Sequence, residues 1–407
     1  MLSRARQLKA PLAGPFRWLW CSQVVSQLGD WAARLALAVL VLDRTGSPAL
    51  TTATLAVTLA PWVGLGQVLA AWVERFSRRR VLVVCDLARA GVFVLIGALD
   101  LPIGVVFVLA FVAGAFDPPF EASRSAAIRE LVPEARYGDA LSLGAITNQV
   151  ALLAGYVLGG GLVAWLDPQV ALVVNATTFV LSAAFLLRLP AMAVGQDPAR
   201  AASLATQLTR VRDALRGDRL LRLAVLSYIP VAAAAMAVES LAPVYVRQVI
   251  GGSSAEIGLA LAAVPFGTIA AAFVVRSAGG PGRLVGQMAR LAIVGSLLAL
   301  AVFVIEPDLP LVLVGFAAVG VVFTSSVPAN TLAGLRIPAD RRAGVFSVLQ
   351  GLVLGSQALG AVLGGVVASR WEVTPTILLA CALAGILGVG ILRRARRLEV
   401  VPLPSHG

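Results

Sequence analysis

Long apolar runs recur along this chain, each closed by a short polar interval. They fall at roughly 16–42, 49–73, 81–99, 103–123, 140–166 and 169–189, and again at about 220–249, 255–276, 284–304, 310–335, 343–369 and 374–392. A helix that crosses the hydrocarbon layer needs about 20 mostly apolar residues. The pattern therefore predicts twelve membrane-spanning helices in two sets of six. The first run is too long for the apolar core of a cleaved secretory signal, so it is expected to be a retained span. The longest polar interval, Ala193 to Arg219, separates the sets. Within it, LATQLTRVRDAL puts Leu204, Leu208, Val211 and Leu215 on one helical face. Such a helix suits either a membrane surface or a solvated linker. The expected organisation is an N-terminal six-helix bundle over 1–192, a central cytoplasmic loop over 193–219, and a C-terminal bundle with a cytoplasmic tail over 220–407.

Composition agrees with the pattern. The chain is 59% hydrophobic and 13% charged, with mean hydropathy +0.89, whereas soluble domains are about 25% charged. Net charge is +12. The basic residues lie between apolar runs rather than in one patch, so no nucleic-acid partner is expected. They also fall mainly in alternate connections, including Arg75–Arg80, Arg129, Arg136, the central loop, Arg341, Arg342 and Arg393–Arg397. The positive-inside rule makes those connections cytoplasmic and puts both termini inside a cell membrane. The three cysteines lie in apolar runs and read as buried hydrophobes, and the single histidine is His406. That inventory offers no histidine-based metal or catalytic site. With no phosphate-cradling Gly-Lys-Ser/Thr loop, ATP-driven pumping is not expected; neither an enzyme nor a cofactor is expected.

The halves repeat. AFDPPFEASRSAAIRELVPEARYGDALS begins at Ala115 and VFTSSVPANTLAGLRIPADRRAGVFS at Val322; Phe116 matches Phe323, Arg129 matches Arg336, and Pro133 matches Pro338. Further on, Val157-Leu158-Gly159-Gly160 matches Val362-Leu363-Gly364-Gly365. Spans four and five thus correspond to spans ten and eleven. Duplicated six-span halves occur among secondary transporters.

The whole arrangement resembles the major facilitator superfamily. The loop between spans two and three is similar to the superfamily signature Gly-x-x-x-Asp-Arg-x-Gly-x-Arg-Arg: in AAWVERFSRRR, Arg75, Arg79 and Arg80 match, while Ala70, Glu74 and Ser77 depart. GDW in span one, TGSP after it and RRRVLVVCDLAR opening span three resemble the macrolide and siderophore exporter branch. That branch includes lysophospholipid transporters. The glycine run Gly155-Tyr156-Val157-Leu158-Gly159-Gly160 resembles the antiporter motif Gly-Pro-x-x-Gly-Gly, with Tyr for Pro. The resemblance implies an all-α membrane protein of two pseudo-symmetric six-helix bundles. It implies a cytoplasmic gate at Glu74, Arg75, Arg79 and Arg80. It also implies interdomain glycines at Gly155, Gly159, Gly160, Gly360, Gly364 and Gly365, joining span five to eight and two to eleven. Each feature also has a plainer reading, as topology-setting charge or ordinary tight packing.

Charges inside spans are costly, about 2.5–3.5 kcal/mol each at a helix centre, and they usually mark a pathway. Asp30 and Arg34 are four apart on one face of span one and can neutralise each other, as a fixed pair or as one that substrate reopens. Asp86 and Arg89 in span three read as a structural pair that holds the inner loop. Asp117 precedes Pro118-Pro119 in span four, where the helix should break. Glu239 in span seven has its nearest sequence cation two turns away, at Arg247. It is expected to be the proton carrier, at the place of Asp30 if the following loop is about three residues shorter, unless it is simply hydrated. Gln27, Asn148, Gln149, Asn330 and Gln357 could line the path. The expected function is secondary active export of an amphipathic or hydrophobic small molecule by a monomer, through proton-coupled antiport. The alternative is a lysophospholipid or lipid facilitator without proton coupling.

Overall fold

The computed structural model describes residues 14–63, 65–73, 75–192, 204–275, 281–305 and 307–399. Its regular elements are helices: α1 Phe16–Thr45, α2 Pro48–Leu59, α3 Leu65–Val73, α4 Arg78–Ala98, α5 Ile103–Ala115, α6 Asp117–Leu131, α7 Tyr137–Trp165 and α8 Pro168–Leu186. There follow α9 Leu204–Gly217, α10 Arg219–Ser240, α11 Ser254–Val274, α12 Pro281–Phe303, α13 Leu309–Phe323, α14 Ser326–Arg336, α15 Ala339–Trp371 and α16 Val373–Glu399. Among the described residues, 11 helical segments are long and apolar enough to cross a membrane.

The second run, 49–73, the expected span absent from those 11, is not one continuous helix. Pro61 lies in a tight turn, Ala60–Trp62, and Val63 leaves it extended (φ −91°, ψ 99°). Proline removes a helical hydrogen bond and crowds the preceding turn, so α2 and α3 form separately. The run over 103–123 is also interrupted, at Phe116. Pro118 and Pro119 sit at the start of α6, where a missing N–H removes no helical bond. The second half breaks at the matching place, between Phe323 and Ser326. Both helices after the break end the same way, at an extended Val132 before Pro133 and an extended Ile337 before Pro338.

The chain divides into two compact units. One holds the described residues of Met1–Gly46, Val57–Ala202 and Ser253–Ala262; the other holds those of Ser47–Ala56, Ser203–Gly252 and Ala263–Gly407. The start of α2 thus packs with the later helices and the start of α11 with the earlier ones, a division that the expected boundaries do not contain. In the first unit Phe16, Leu19, Leu82, Ile128 and Leu186 share a core. In the second, Val211 of α9 joins Leu221, Ile337 and Val348, with Leu215 against them. The central amphipathic helix therefore spends part of its apolar face on protein, while Leu208 is exposed.

The glycines repeat with their contacts. Gly155 and Gly159 of α7 lie against Leu28, Trp31 and Ala32 of α1; Gly360 and Gly364 of α15 lie against Ala233 and Ala237 of α10. Gly160 meets Gly258 on α11, and Gly365 meets Ala49 and Thr52 on α2. The expected contact of span five with eight rests on Gly160, and that of span eleven with two on Gly365. The other four glycines seat the first helix of their own half. A Cβ at Gly160 would stand 2.7 Å from Gly258 Cα and 2.8 Å from Ser254 O, both backbone atoms, whereas nothing lies within 4 Å of one at Gly161. Gly160→Ala is expected to destabilise by about 1–3 kcal/mol, and Gly161→Ala to be neutral or slightly stabilising. Thermal unfolding in detergent compares them; equal midpoints would refute the packing role.

Candidate functional site: a buried charge cluster in the first unit

The first helix carries a polar stripe. Trp20, Gln23, Gln27, Asp30 and Arg34 follow one another at spacings of three and four, so they share one face of α1. On α6 the acid-bearing face is Asp117, Glu121 and Arg124 at the same spacing. α4 supplies Asp86 and Arg89, and α8 supplies Ser182. Small residues allow the close approach: a Cβ at Gly29 would meet Thr178 and Asn175 of α8.

Arg89 is the hub. Its guanidinium donates to Asp86 Oδ1 at 2.5 Å, to Asp117 Oδ1 at 2.8 Å and to Asp30 Oδ2 at 3.3 Å. Ser182 donates its hydroxyl to the other Asp86 oxygen at 2.6 Å. Arg34 pairs with Asp117 Oδ2 at 3.6 Å. The Arg89 guanidinium also lies between the rings of Phe120 and Phe179, at 4.7 and 4.5 Å from their centroids. Aromatic faces attract a desolvated cation and keep water from it. Exposure is graded across the cluster: 0% for the Asp86 side chain and 3% for Arg89, against 22%, 17% and 20% for Asp30, Asp117 and Arg34.

Three carboxylates share two guanidiniums here, Asp30, Asp86 and Asp117 against Arg34 and Arg89. With every acid ionised the cluster holds one negative charge in excess. An uncompensated charge in a low-dielectric site is expensive, and the usual relief is a proton. Asp30 makes the longest of the three Arg89 contacts and is the most exposed of the three acids.

A second polar layer lies one to two turns along α1. Arg124 is bidentate to Glu121, at 2.6 and 2.8 Å, and donates to Gln23 Oε1 at 3.0 Å. Gln23 donates in turn to Gln27 Oε1 at 3.4 Å and to the Gly144 carbonyl at 3.3 Å. Trp20 Nε1 donates to Thr147 at 2.9 Å.

These positions revise the pairings expected from spacing. Asp30 binds Arg89 and Arg34 binds Asp117, so the i,i+4 acid and base of α1 each pair across helices. Asp86 and Arg89 do pair, but as the centre of the cluster, not as a clamp on the inner loop. In that loop Arg78 pairs with Glu130, and Arg79 donates to the Leu187 carbonyl at 2.5 Å, at the end of α8. Arg75 and Arg80 are exposed, and Glu74 lies outside the described residues. Gln27, Asn148, Gln149 and Gln357 are half-buried and Asn330 is exposed. Glu239 is buried near the end of α10, in the second unit, and is not a member of the cluster.

Glu239 is also not the counterpart of Asp30. Leu28 and Ala32 hold Gly155 and Gly159 as Ala233 and Ala237 hold Gly360 and Gly364. Gly46 and Gly251 cap the two segments with positive φ, 61° and 73°. On that register Ala235 stands at the place of Asp30, and Glu239 at the place of Arg34. Sequence reasoning missed Arg89 as the hub, with Ser182, Phe120, Phe179, Glu121 and Arg124. Its available signal was Asp86-x-x-Arg89 within one apolar run.

Apolar segments in repeated halves, interrupted at matching places after Phe116 and Phe323, with a buried charge cluster in the first unit, are the features of a multi-pass membrane transporter. Residues 19–327 match the family model of the Major Facilitator Superfamily, and the chain belongs to that superfamily. It is 27% identical over 372 residues, 86% of each chain, to the multidrug efflux pump Tap of Mycobacterium tuberculosis. It is 29% identical over 199 residues to the uncharacterized MFS-type transporter YfiS of Bacillus subtilis, a match spanning 49% of this chain and 48% of that protein. Among solved structures, a bacterial homolog of the human lysosomal transporter Spinster superposes with TM-score 0.74 at 15% identity, covering 96% of this chain and 99% of that one. A POT family transporter in complex with 5-aminolevulinic acid gives TM-score 0.74 at 11% identity, with coverages of 94% and 96%. These likenesses show the fold.

Proposed function

We propose that the protein exports an amphipathic or hydrophobic small molecule by alternating access, driven by protons moving the other way. The observation that carries the reading is the single excess carboxylate of the Asp30–Asp86–Asp117 cluster. Asp30 is the proton carrier. Protonating it removes the excess charge and releases one Arg89 contact; deprotonating it restores both. The state of the cluster thereby biases how α1, α4, α6 and α8 are held together. A difference in binding between two states is the physical requirement for coupling. The polar layer of Gln23, Gln27, Glu121 and Arg124, with Asn148, Gln149, Asn330 and Gln357, gives an otherwise apolar path its few hydrogen-bonding groups. Similarity to a mycobacterial multidrug efflux pump supports export of lipophilic solutes. The arginine-rich ends of the spans are cytoplasmic in this reading, and Arg75, Arg79 and Arg80 with Glu74 form the cytoplasmic gate.

Glu239 is the second acid of the path, set opposite in sign to Arg34 in the repeated register. In cells expressing the protein, accumulation of lipophilic dyes and drugs should fall, and a protonophore should restore it. Glu239→Gln is expected to weaken uphill export several-fold while leaving substrate binding measurable. Full uphill export in that variant removes Glu239 from the path. Export that ignores the protonophore in the wild type favours a lipid or lysolipid facilitator instead.

A further inference from the structure

At one end of the second unit, α10 and α16 enclose a recess that the transport reading does not use. Its volume is about 410 Å³, and its lining includes Arg219, Arg222, Arg394 and Arg397 with Leu223 and Leu226. The four arginines come from the first turn of α10 and the last two turns of α16. No acid lies in the first turn of α10. Asp218, just before it, is spent on the Leu220 and Leu221 amides and on Arg336. That carboxylate offsets the start of α10, and cations in the last turns of α16 offset its negative end, so the potential of the recess comes from the guanidiniums themselves. Four guanidiniums thus converge on one open recess. None of the four forms an ion pair among the described residues.

Both helices are membrane spans, over Arg219–Ile250 and Val373–Arg397, so the arginines stand at headgroup level where the two spans meet the surface. Leu223 and Leu226 follow the arginines one turn further along α10, and Leu226 is exposed. On α16 the exposed Ile386 lies two turns before Arg394. The groove therefore passes from guanidinium to apolar side chains in the direction of the hydrocarbon. A soluble phosphate uses only the first part; a phospholipid uses both. Guanidinium is also the group that holds phosphate oxygens two at a time.

We propose that this recess binds the phosphate of an anionic phospholipid, with an acyl chain laid along Leu226 and Ile386. Basic recesses between spans at the membrane surface are suited to such headgroups. The site is independent of the proton pathway in the first unit.

Native mass spectrometry of the full-length protein, with phosphatidylglycerol and phosphatidylcholine of matched chains, tests the site. Phosphatidylglycerol is expected to be retained about tenfold more strongly, and Arg222→Gln/Arg394→Gln to bring it down to the phosphatidylcholine level. Arg397→Gln alone should give a partial loss of about threefold. The double variant Arg210→Gln/Arg283→Gln, which removes the same charge elsewhere, should keep the preference. Undiminished retention in the recess variants overturns the proposal, as does an equal loss in the charge-matched control. Displacement of the lipid by equimolar inorganic phosphate also overturns it, because the site would then be one for a soluble anion.

Discussion

Arg89→Leu is expected to destabilise the first unit by roughly 3–5 kcal/mol, the range for removing one partner of a buried ionic group. The replacement leaves Asp86, with no exposed side-chain surface, holding only the Ser182 hydroxyl. It leaves Asp30 and Asp117 with Arg34 as their one cation in the cluster. The excess negative charge rises from one to two. The loss should appear as a lower thermal midpoint and a smaller folded fraction on size exclusion in detergent. Adding Asp86→Leu to Arg89→Leu should recover a large part of that loss, because replacing a buried pair by apolar groups is often neutral. A single variant as stable as the wild type, or a double variant worse than the single, would contradict the hub role of Arg89.

Asp30→Asn is expected to act in the opposite sense on stability while abolishing uphill export. It leaves Asp86 and Asp117 against Arg34 and Arg89, a neutral cluster, and its amide oxygen can still accept from Arg89 across the present 3.3 Å. Folding should therefore be kept or improved. The carboxyl that we propose carries the proton is gone, so export against a gradient should fall to background while downhill exchange persists. Asp117→Asn is the contrast. Asp117 holds both arginines at once, and its loss should lower the thermal midpoint as well as export. Equal stability losses in the two variants would mean that Asp30 is a structural member of the cluster and nothing more.

Much of the fold was legible because its signals are local. Spans of about 20 apolar residues, the break marked by Pro118 and Pro119, and the repeated glycines are read from neighbouring residues. The break in the second span carried a signal as well, Pro61 with glycines at 64 and 66, but hydropathy alone runs straight through it. The site was only half legible. Spacing along α1 and α4 gave the faces on which Asp30, Arg34, Asp86 and Arg89 stand, since side chains three and four apart are neighbours. It did not give their partners. Arg89 reaches Asp30 from 59 residues away and Asp117 from 28. A guanidinium with five donors settles among three carboxylates according to how the helices cross, which no spacing encodes. Glu239 was misplaced for a related reason. Matching it to Asp30 requires a shorter loop, whereas Gly46 and Gly251, each ending its segment with positive φ, fix the register in which Glu239 corresponds to Arg34.

The repeat also bears on how the halves differ. Ala32 and Ala237 do the same work against Gly159 and Gly364. Around that shared scaffold the first half builds a charge cluster from four helices, while Ala235 occupies the register of Asp30. Duplication has preserved the packing that makes the fold, while the Arg89 charge cluster stands in one half.

The most direct test of proton coupling through Asp30 is proton movement itself. The purified protein is reconstituted in proteoliposomes that enclose a pH-sensitive dye, with a lipophilic substrate supplied on one side. The expected result is substrate-dependent proton flux opposite in direction to substrate in the wild type, and none in Asp30→Asn at equal protein incorporation. Substrate transport at an unchanged rate in both proteins, without any pH change inside the vesicles, would contradict it.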